Sequence, residues 1–230
     1  MEIIVGESAG FCYGVKRAVE GTFEALKNAN GEKIFCFGEL VHNKTVTNKL
    51  KEDGATFVDN INDTRSVSII RAHGIRKSDY EYLEGKNIKF IDYTCPNVLK
   101  IHKIAEEYAQ NGYYIFLLGD KTHPENIGTI SFCGQNSCIL DSLDEVRVAL
   151  ENIKNAGAKK LLVIAQTTYS VEKFNNIINV INSSVVKNDM EVVVKNTICN
   201  ATNVRQSETE KISKMVDCMI IIRWKKQFKH

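Results

Sequence analysis

Three of the seven cysteines lie in matching sequence surroundings. Cys12, Cys95 and Cys199 each follow an apolar run or the turn that ends it, and each precedes a helical pattern that carries a basic residue. Because helix N-termini favour anions and lower the pKa of thiols, such turns are good places for thiolate ligands. Three thiolates around one point, without a fourth ligand, predict an iron–sulfur cluster with one open iron that can bind a substrate.

The other four cysteines lack this setting. Cys36 and Cys218 lie in apolar runs that favour strands, where a free cysteine packs as a small hydrophobic side chain. Cys133 and Cys138 are spaced so that they could form a pair of metal ligands. No nearby cysteine or histidine completes such a site, so structural roles are favoured for both. An odd number of cysteines without paired spacing fits a reducing cytosol better than a disulfide framework.

Three histidines occupy loops that follow predicted strands. They are His42, His73 and His123, and each is flanked by Gly, Asn or Pro. Imidazoles and loop amides suit an anionic ligand such as a diphosphate. A single loop histidine is more often structural or solvated, but the shared position of the three favours a common ligand site. His102 lies in the middle of a predicted helix, and we interpret it as a surface residue.

Two further polar residues near strand ends can take part in proton transfer. Glu125 falls in the first turn of a helix predicted to begin at Pro124. As a carboxylate it can complement the helix dipole, and as a carboxylic acid it can donate a proton at the mouth of a site; its position alone favours neither role. Thr167 follows an apolar strand and can hold a substrate alcohol or relay protons, although hydroxyls at this position are equally common as helix caps.

The predicted elements that position these residues alternate between strands and helices. Strands are predicted at Ile3–Val5, Lys33–Phe37, Thr56–Val58, Val67–Arg71, Lys89–Tyr93, Tyr113–Leu118, Cys138–Leu140, Lys160–Ala165, Glu191–Val194 and Met219–Ile222. Helices are predicted at Val15–Asn28, Lys44–Glu52, Lys77–Glu84, Asn97–Asn111, Pro124–Phe132, Leu143–Ala156, Val171–Ile181 and Ala201–Met215. This alternation predicts an α/β fold with mostly parallel sheets, which bind ligands beyond the carboxyl ends of their strands.

Composition narrows the function classes. A chain of 230 residues with 43% hydrophobic and 25% charged residues is ordinary for a globular protein of one large or two to three small domains. No apolar run approaches the roughly 20 residues that span a bilayer, and the N-terminus lacks the features of a secretory signal. The last eight residues hold four Lys/Arg and no acid, so the rest of the chain is mildly acidic. The sequence therefore lacks the basic footprint of a nucleic-acid-binding protein.

Together these motifs resemble the LytB/IspH family, the 4-hydroxy-3-methylbut-2-enyl diphosphate reductases of the non-mevalonate isoprenoid pathway. The resemblance covers residues 1 to about 222. The motifs, in family order, are Gly10-Phe11-Cys12-Tyr13-Gly14-Val15, Val41-His42-Asn43, Arg71-Ala72-His73-Gly74, Asp92-Tyr93-Thr94-Cys95-Pro96, His123-Pro124-Glu125, Gln166-Thr167-Thr168 and Ile198-Cys199-Asn200-Ala201-Thr202.

The resemblance implies a three-lobed α/β trefoil of small, mostly parallel sheets around a central 4Fe-4S cluster. It implies that the cluster ligands are the three cysteines named above. The three loop histidines would hold the diphosphate or relay protons, Glu125 would supply a proton, and Thr167 would position the substrate hydroxyl. The substrate alkoxide would bind the open iron, and two electrons would come from ferredoxin or flavodoxin in the cytoplasm. The products would be isopentenyl and dimethylallyl diphosphate.

The lobes are expected at residues 1–95, with Cys12, His42 and His73, at 96–195, with His123, Glu125 and Thr167, and at 196–230, with Cys199. The third lobe is expected to be incomplete, because the chain departs from the family pattern after Ile222. Family members continue there with a Gly-x-Lys-Asn-Ser-Ser-Asn-type loop that binds the diphosphate, whereas this chain continues Arg-Trp-Lys-Lys-Gln-Phe-Lys-His.

A back-translation of this octapeptide, shifted by one base, encodes Gly-Gly-Lys-Asn-Ser-Ser-Asn. We therefore expect a truncation or frameshift after Ile222. The alternative to an active reductase is then a cluster-capable but catalytically impaired chain, either a truncated relic or a binding module, that lacks the Ser-x-Asn loop for the diphosphate.

Overall fold

The computed structural model describes residues 2–41, 43–185 and 190–222. The helices are α1 (Tyr13–Lys27), α2 (Lys44–Glu52), α3 (Lys77–Gly85), α4 (Pro96–Gln110), α5 (Pro124–Ile130), α6 (Leu143–Asn155), α7 (Val171–Val185) and α8 (Asn200–Ser213), with a 3-10 turn at Ile61–Asp63. The strands are β1 (Ile34–Phe37), β2 (Ala55–Val58), β3 (Val67–Ile70), β4 (Lys89–Asp92), β5 (Tyr114–Leu118), β6 (Ser137–Leu140), β7 (Lys160–Ala165) and β8 (Glu191–Val194). Strands and helices alternate, which confirms the predicted α/β class.

Contacts within the chain divide it into two compact units. Unit 1 contains the described parts of Met1–Ala72, Leu83–Cys95 and Cys199–His230. Unit 2 contains the described parts of His73–Tyr82 and Pro96–Ile198. The segment that begins at Cys199 thus belongs to the same unit as the N-terminal residues. The division into three lobes stays a prediction.

Unit 1 is built on a parallel sheet with the strand order β2-β1-β3-β4. In the register, Ile34 lies opposite Ala55 on one side and Val67 on the other. Buried side chains of the sheet pack with Ala18 of α1 and Leu50 of α2 to form its core. Burial of this apolar surface is the main stabilising contribution to the unit.

Unit 2 is built on a second parallel sheet with the strand order β6-β5-β7-β8. Its two central strands, β5 and β7, are apolar at nearly every position because both faces of the sheet are covered. Phe116 and Val163 belong to a core that includes residues of α6 and α7. Ile115 and Ile164 belong to a second core that includes residues of α4. The sheet therefore holds the ends of β5 and β7 side by side.

Two predicted strands are wrong. The runs Ile3–Val5 and Met219–Ile222 form no strand in the structure. Their side chains are exposed, and Ile222 is 93% accessible. A strand forms its hydrogen bonds only with a partner strand, and neither run pairs within the described ranges. The tail Arg223–His230, on which we based the expected frameshift, lies outside the described residues.

Among the described residues, no helix has the length and apolar character needed to cross a membrane.

Candidate active site

The three matching cysteines lie where helices begin. Cys12 is the N-cap residue of α1, Cys199 is the N-cap residue of α8, and Cys95 directly precedes Pro96, the first residue of α4. None of the three forms a disulfide, all three are partly exposed, and neither the Cys12 nor the Cys199 side chain caps its own helix. All three residues belong to unit 1.

Contacts within unit 1 bring these turns into one region. A methyl group added at Gly14, in the first turn of α1, would lie 2.8 Å from the Cys95 sulfur atom. The helix that begins at Cys199 reaches the segment before Cys12, because Arg205 donates a hydrogen bond of 2.7 Å to the Gly10 carbonyl. Neither contact was predictable from the sequence pattern.

Within residues 2–41, 43–185 and 190–222, no group of three or more His, Cys, Asp or Glu side chains is placed to hold a metal ion. The ligand role of Cys12, Cys95 and Cys199 therefore stays a prediction.

The remaining cysteines are less suited to bind a metal. Cys36 is fully buried in β1, and burial raises the pKa of its thiol to about 12. Burial likewise raises the pKa of Cys133 to about 12 and that of Cys138 to about 11. Since the thiolate is the metal ligand, such thiols are poor ligands at neutral pH. Cys218 was expected in a strand, but it is exposed and lies outside the strands of the structure.

Glu125 and Thr167 form a buried pair in unit 2. Glu125 is only 2% exposed, and its Oε2 accepts a hydrogen bond of 2.6 Å from the Thr167 hydroxyl. Its Oε1 accepts a second bond of 2.7 Å from the Thr167 backbone N–H. Burial raises the pKa of the Glu125 carboxyl, and the two bonds from Thr167 oppose this shift without cancelling it. A carboxyl in this setting keeps its proton to higher pH than an ordinary glutamate.

This pair results from the order of the strands. Glu125 lies in α5, which follows β5, and Thr167 lies two residues beyond the end of β7. Because β5 and β7 are parallel neighbours, their carboxyl ends meet at the same edge of the sheet. Of the two roles that the sequence left open for Glu125, its burial against Thr167 favours proton transfer.

His123 and His73 lie together in unit 2. Their ring centroids are 5.3 Å apart, with the rings nearly perpendicular. His123 is also the N-cap residue of α5, and its Nδ1 accepts a hydrogen bond of 3.2 Å from the Glu125 N–H. The hydrogen bond fixes this imidazole at the start of α5. His42 lies outside the described residues.

The surface position that we expected for His102 is wrong. Its side chain is 4% exposed and stacks on Phe132, with the ring centroids 4.2 Å apart. The residue lies on the buried face of α4 with Val98, Ile101 and Ala105. His102 therefore packs on the buried side of α4.

Sequence reasoning missed the residues that fix the loop between β5 and α5. Gln166 Oε1 accepts hydrogen bonds from Asn126 Nδ2, at 2.8 Å, and from the Asp120 N–H, at 3.2 Å. Asn126 also donates to the Asp120 carbonyl, at 2.8 Å. A side chain at Gly119 would overlap with these amides, so glycine is required there. The motif Gln166-Thr167-Thr168 was the available signal, since it placed Gln166 beside Thr167.

The chain matches the LytB protein family over residues 3–226. It is a member of that family.

Two relatives of this LytB protein are each named 4-hydroxy-3-methylbut-2-enyl diphosphate reductase. The relative from Caldanaerobacter subterraneus subsp. tengcongensis is 39% identical over 226 residues, which cover 96% of this chain and 75% of the relative. The relative from Clostridioides difficile is 36% identical over 224 residues, which cover 96% of this chain and 77% of the relative.

A solved structure of (E)-4-hydroxy-3-methyl-but-2-enyl diphosphate reductase, described as the terminal enzyme of the non-mevalonate pathway, is similar to this LytB protein with a TM-score of 0.79. The two are 38% identical, and the likeness covers 98% of this chain and 78% of that structure. The likeness supports the α/β fold class with small parallel sheets.

Proposed function

We propose that this LytB protein is an iron–sulfur oxidoreductase that removes the hydroxyl group of 4-hydroxy-3-methylbut-2-enyl diphosphate. The products are isopentenyl and dimethylallyl diphosphate of the non-mevalonate pathway. The shared name of the relatives and of the solved structure supports this substrate. The observation that carries the proposal is the buried carboxyl of Glu125, held by Thr167 in a setting that raises its pKa. The alternative of a chain without catalysis is not favoured by these relatives.

The reaction needs two electrons and two protons. The bond between the allylic carbon and its hydroxyl oxygen breaks, the oxygen leaves as water, and the allylic fragment gains one hydrogen. A protein site must therefore supply protons and hold the diphosphate while electrons arrive. We assign these tasks to different residues of the chain.

Cys12, Cys95 and Cys199 are the proposed ligands of a 4Fe-4S cluster. As a donor set they fit it, because none of the three thiols forms a disulfide and all three are partly exposed at helix starts within one unit. When bound, the cluster supplies the electrons and a Lewis-acidic iron. The electron donor is proposed to be a ferredoxin or flavodoxin.

Glu125 is the proposed proton donor. A buried carboxyl with a raised pKa retains a proton at a pH where an exposed glutamate has lost it, which suits a general acid. The Thr167 hydroxyl is 2.6 Å from the carboxyl oxygen and can pass the proton on or orient the substrate hydroxyl. His123 accepts a hydrogen bond at its Nδ1 from the Glu125 backbone N–H, which orients the imidazole ring.

His42, His73 and His123 are the proposed ligands of the diphosphate. The contact between the His73 and His123 rings supports a shared role for these two. Imidazoles bind an anionic oxygen well when protonated or when their N–H points towards it. None of the seven cysteines forms a disulfide, which fits the proposed cytoplasmic location, where thiols stay reduced.

Anaerobic reconstitution with iron and sulfide, followed by turnover with a reduced viologen dye, tests this proposal. We expect Cys12→Ser, Cys95→Ser and Cys199→Ser each to lose the cluster and both products, while Cys36→Ser keeps them. Equal loss of iron in Cys133→Ser would contradict the ligand assignment.

A further inference from the structure

Arg17 binds the backbone of a turn that leads to a cysteine other than its own. It lies on α1, five residues after Cys12. Its Nη1 donates to the Thr94 carbonyl and its Nη2 to the Asp92 carbonyl, each at 3.1 Å. Both carbonyls belong to the segment that runs from β4 into Cys95.

Arg205 repeats this arrangement at another pair of cysteines. It lies on α8, six residues after Cys199. Its Nε donates to the Ser8 carbonyl at 3.1 Å, and its Nη2 donates to the Gly10 carbonyl at 2.7 Å. These carbonyls lie four and two residues before Cys12. The helix that begins at one cysteine thus holds the turn that precedes the next.

We propose that Arg17 and Arg205 are positioning residues that hold the Cys95 and Cys12 thiols in place for the cluster. We call each arrangement an arginine clasp: one guanidinium that donates to two backbone carbonyls of a turn before a cysteine. The inference rests on the proposed function only for the identity of the group that the thiols bind. The hydrogen bonds of the clasps join atoms of the chain itself and involve no ligand.

The Cys95 turn is held on several sides. The Arg17 guanidinium lies over the Tyr93 ring, 5.5 Å from its centroid, and the Cys95 N–H donates to the Ala72 carbonyl at 3.0 Å. A side chain at Gly21, on α1, would overlap with the Tyr93 ring, so the helix lies directly against this turn. Loss of the Arg17 clasp therefore removes the contact that ties α1 to the backbone next to Cys95.

The Cys12 turn depends on polar contacts to α8. None of the residues of α8 is buried, so apolar packing contributes little to its docking. Glu208, one turn after Arg205, accepts hydrogen bonds from the Glu7 N–H at 2.6 Å and from the Ser8 N–H at 2.9 Å. Arg205 and Glu208 therefore bind carbonyls and amides of the same turn. This pair fixes the path of the chain into Cys12.

Arginine is suited to this task and lysine is not. The guanidinium is a rigid planar fork that donates in two directions at once, whereas the ammonium of lysine is a point charge on a flexible stem. We therefore expect Arg17→Lys and Arg205→Lys to keep the charge and still lose the clasp. This expectation separates a geometric role from a general electrostatic one.

Hydrogen exchange on the cluster-free chain, read by mass spectrometry of peptides, tests the clasps directly. In Arg17→Gln and Arg17→Lys we expect roughly tenfold faster amide exchange at residues 92–95, because the loss of charge-assisted hydrogen bonds makes local opening of this turn easier. Exchange at residues 6–11 should not change in these two variants. In Arg205→Gln and Arg205→Lys the acceleration should fall on 6–11 and not on 92–95.

Arg65→Gln is the matched control. Arg65 also donates to two carbonyls in unit 1, those of Asn62 and Thr64, but its turn leads to no cysteine. We expect its loss to leave the exchange of both cysteine turns unchanged. Acceleration at both turns in Arg65→Gln, or none in the Arg17 and Arg205 variants, would overturn the inference.

The second readout is the reconstituted cluster. We expect the Arg17 and Arg205 variants to lose iron to a chelator at least several times faster than the wild type, with an altered electron paramagnetic resonance spectrum of the reduced cluster. Arg65→Gln should match the wild type in both. Variants with wild-type spectra and iron loss would overturn the positioning role. A wild-type chain that binds no cluster would contradict the proposed function. The clasps would still be supported if exchange were faster at 92–95 only in the Arg17 variants and at 6–11 only in the Arg205 variants.

Discussion

Thr167 donates two hydrogen bonds to the buried carboxylate of Glu125, one from its backbone N–H and one from its hydroxyl. The two residues are 42 positions apart in the sequence and come from loops after neighbouring parallel strands. Burial raises the pKa of Glu125, and the bonds from Thr167 limit that rise. This relationship leads to three of the predictions below.

Glu125→Gln should reduce turnover while diphosphate affinity stays close to that of the wild type. The amide keeps the shape of the carboxyl but cannot donate the catalytic proton, so we expect kcat to fall by about 10²–10⁴-fold. Steady-state kinetics and binding of inorganic diphosphate by calorimetry measure the two effects separately. Glu145→Gln is the control, since Glu145 lies in the same unit and pairs with Lys121 in an exposed position. Normal turnover in Glu125→Gln would restrict Glu125 to a structural role.

Stability should depend on pH through Glu125. Burial raises its pKa in the folded chain above that in the unfolded chain. The protonated carboxyl therefore contributes stability that is fully present below the unfolded pKa and is lost as pH rises through the folded pKa. Glu125→Gln lacks this dependence. The free energy of unfolding of the wild type, relative to that of Glu125→Gln, should therefore fall as pH rises. Urea denaturation from about pH 4 to 8 measures the difference, and a constant difference would contradict the raised pKa.

Thr167→Val should change the pH profile as well as the rate. The valine removes the hydroxyl but keeps the backbone N–H, so the pKa of Glu125 should rise further, because a hydrogen bond that lowers it is lost. We expect the alkaline limb of the kcat profile to move to higher pH, with a loss of stability of about 1–3 kcal/mol. Thr167→Ser keeps the hydroxyl and should stay near the wild-type profile. An unmoved limb in Thr167→Val would mean that Glu125 does not set it.

Gly14→Ala should weaken cluster binding although alanine favours the helix. Its methyl group would lie 2.8 Å from the Cys95 sulfur atom and must displace it. We expect several-fold less iron per chain after reconstitution. Gly85→Ala is the matched control, because a methyl group at this helical glycine meets no other atom within 4 Å. Equal iron contents in the two variants would show that the thiol position is not critical.

Helices were more predictable from this sequence than short strands. All eight helices were expected close to their observed bounds, because their apolar spacing and capping residues are local. The apolar runs Ile3–Val5 and Met219–Ile222 have strand composition, but a strand also needs a partner, and that requirement is not visible in three or four residues. The burial of His102 was readable, since it shares helical spacing with Val98 and Ile101.

The pairing of Glu125 with Thr167 was more predictable than the contacts that support it, and the roles of the predicted site residues stay predictions. The motifs identified Glu125 and Thr167, and the parallel sheet explains why they meet. The sequence also placed basic residues after the matching cysteines, but it could not reveal that Arg17 binds the turn before Cys95. These two contacts join residues 77 and 75 positions apart and depend on how helices pack in the unit.

The stoichiometry between electrons consumed and product formed tests most directly whether this chain reduces an allylic diphosphate. The chain, reconstituted anaerobically with iron and sulfide, would receive a measured amount of reduced viologen and excess 4-hydroxy-3-methylbut-2-enyl diphosphate. We predict one isopentenyl or dimethylallyl diphosphate for every two electrons consumed, with no product from Cys12→Ser. A reconstituted wild-type chain that holds its cluster and consumes electrons without forming either product would contradict the account.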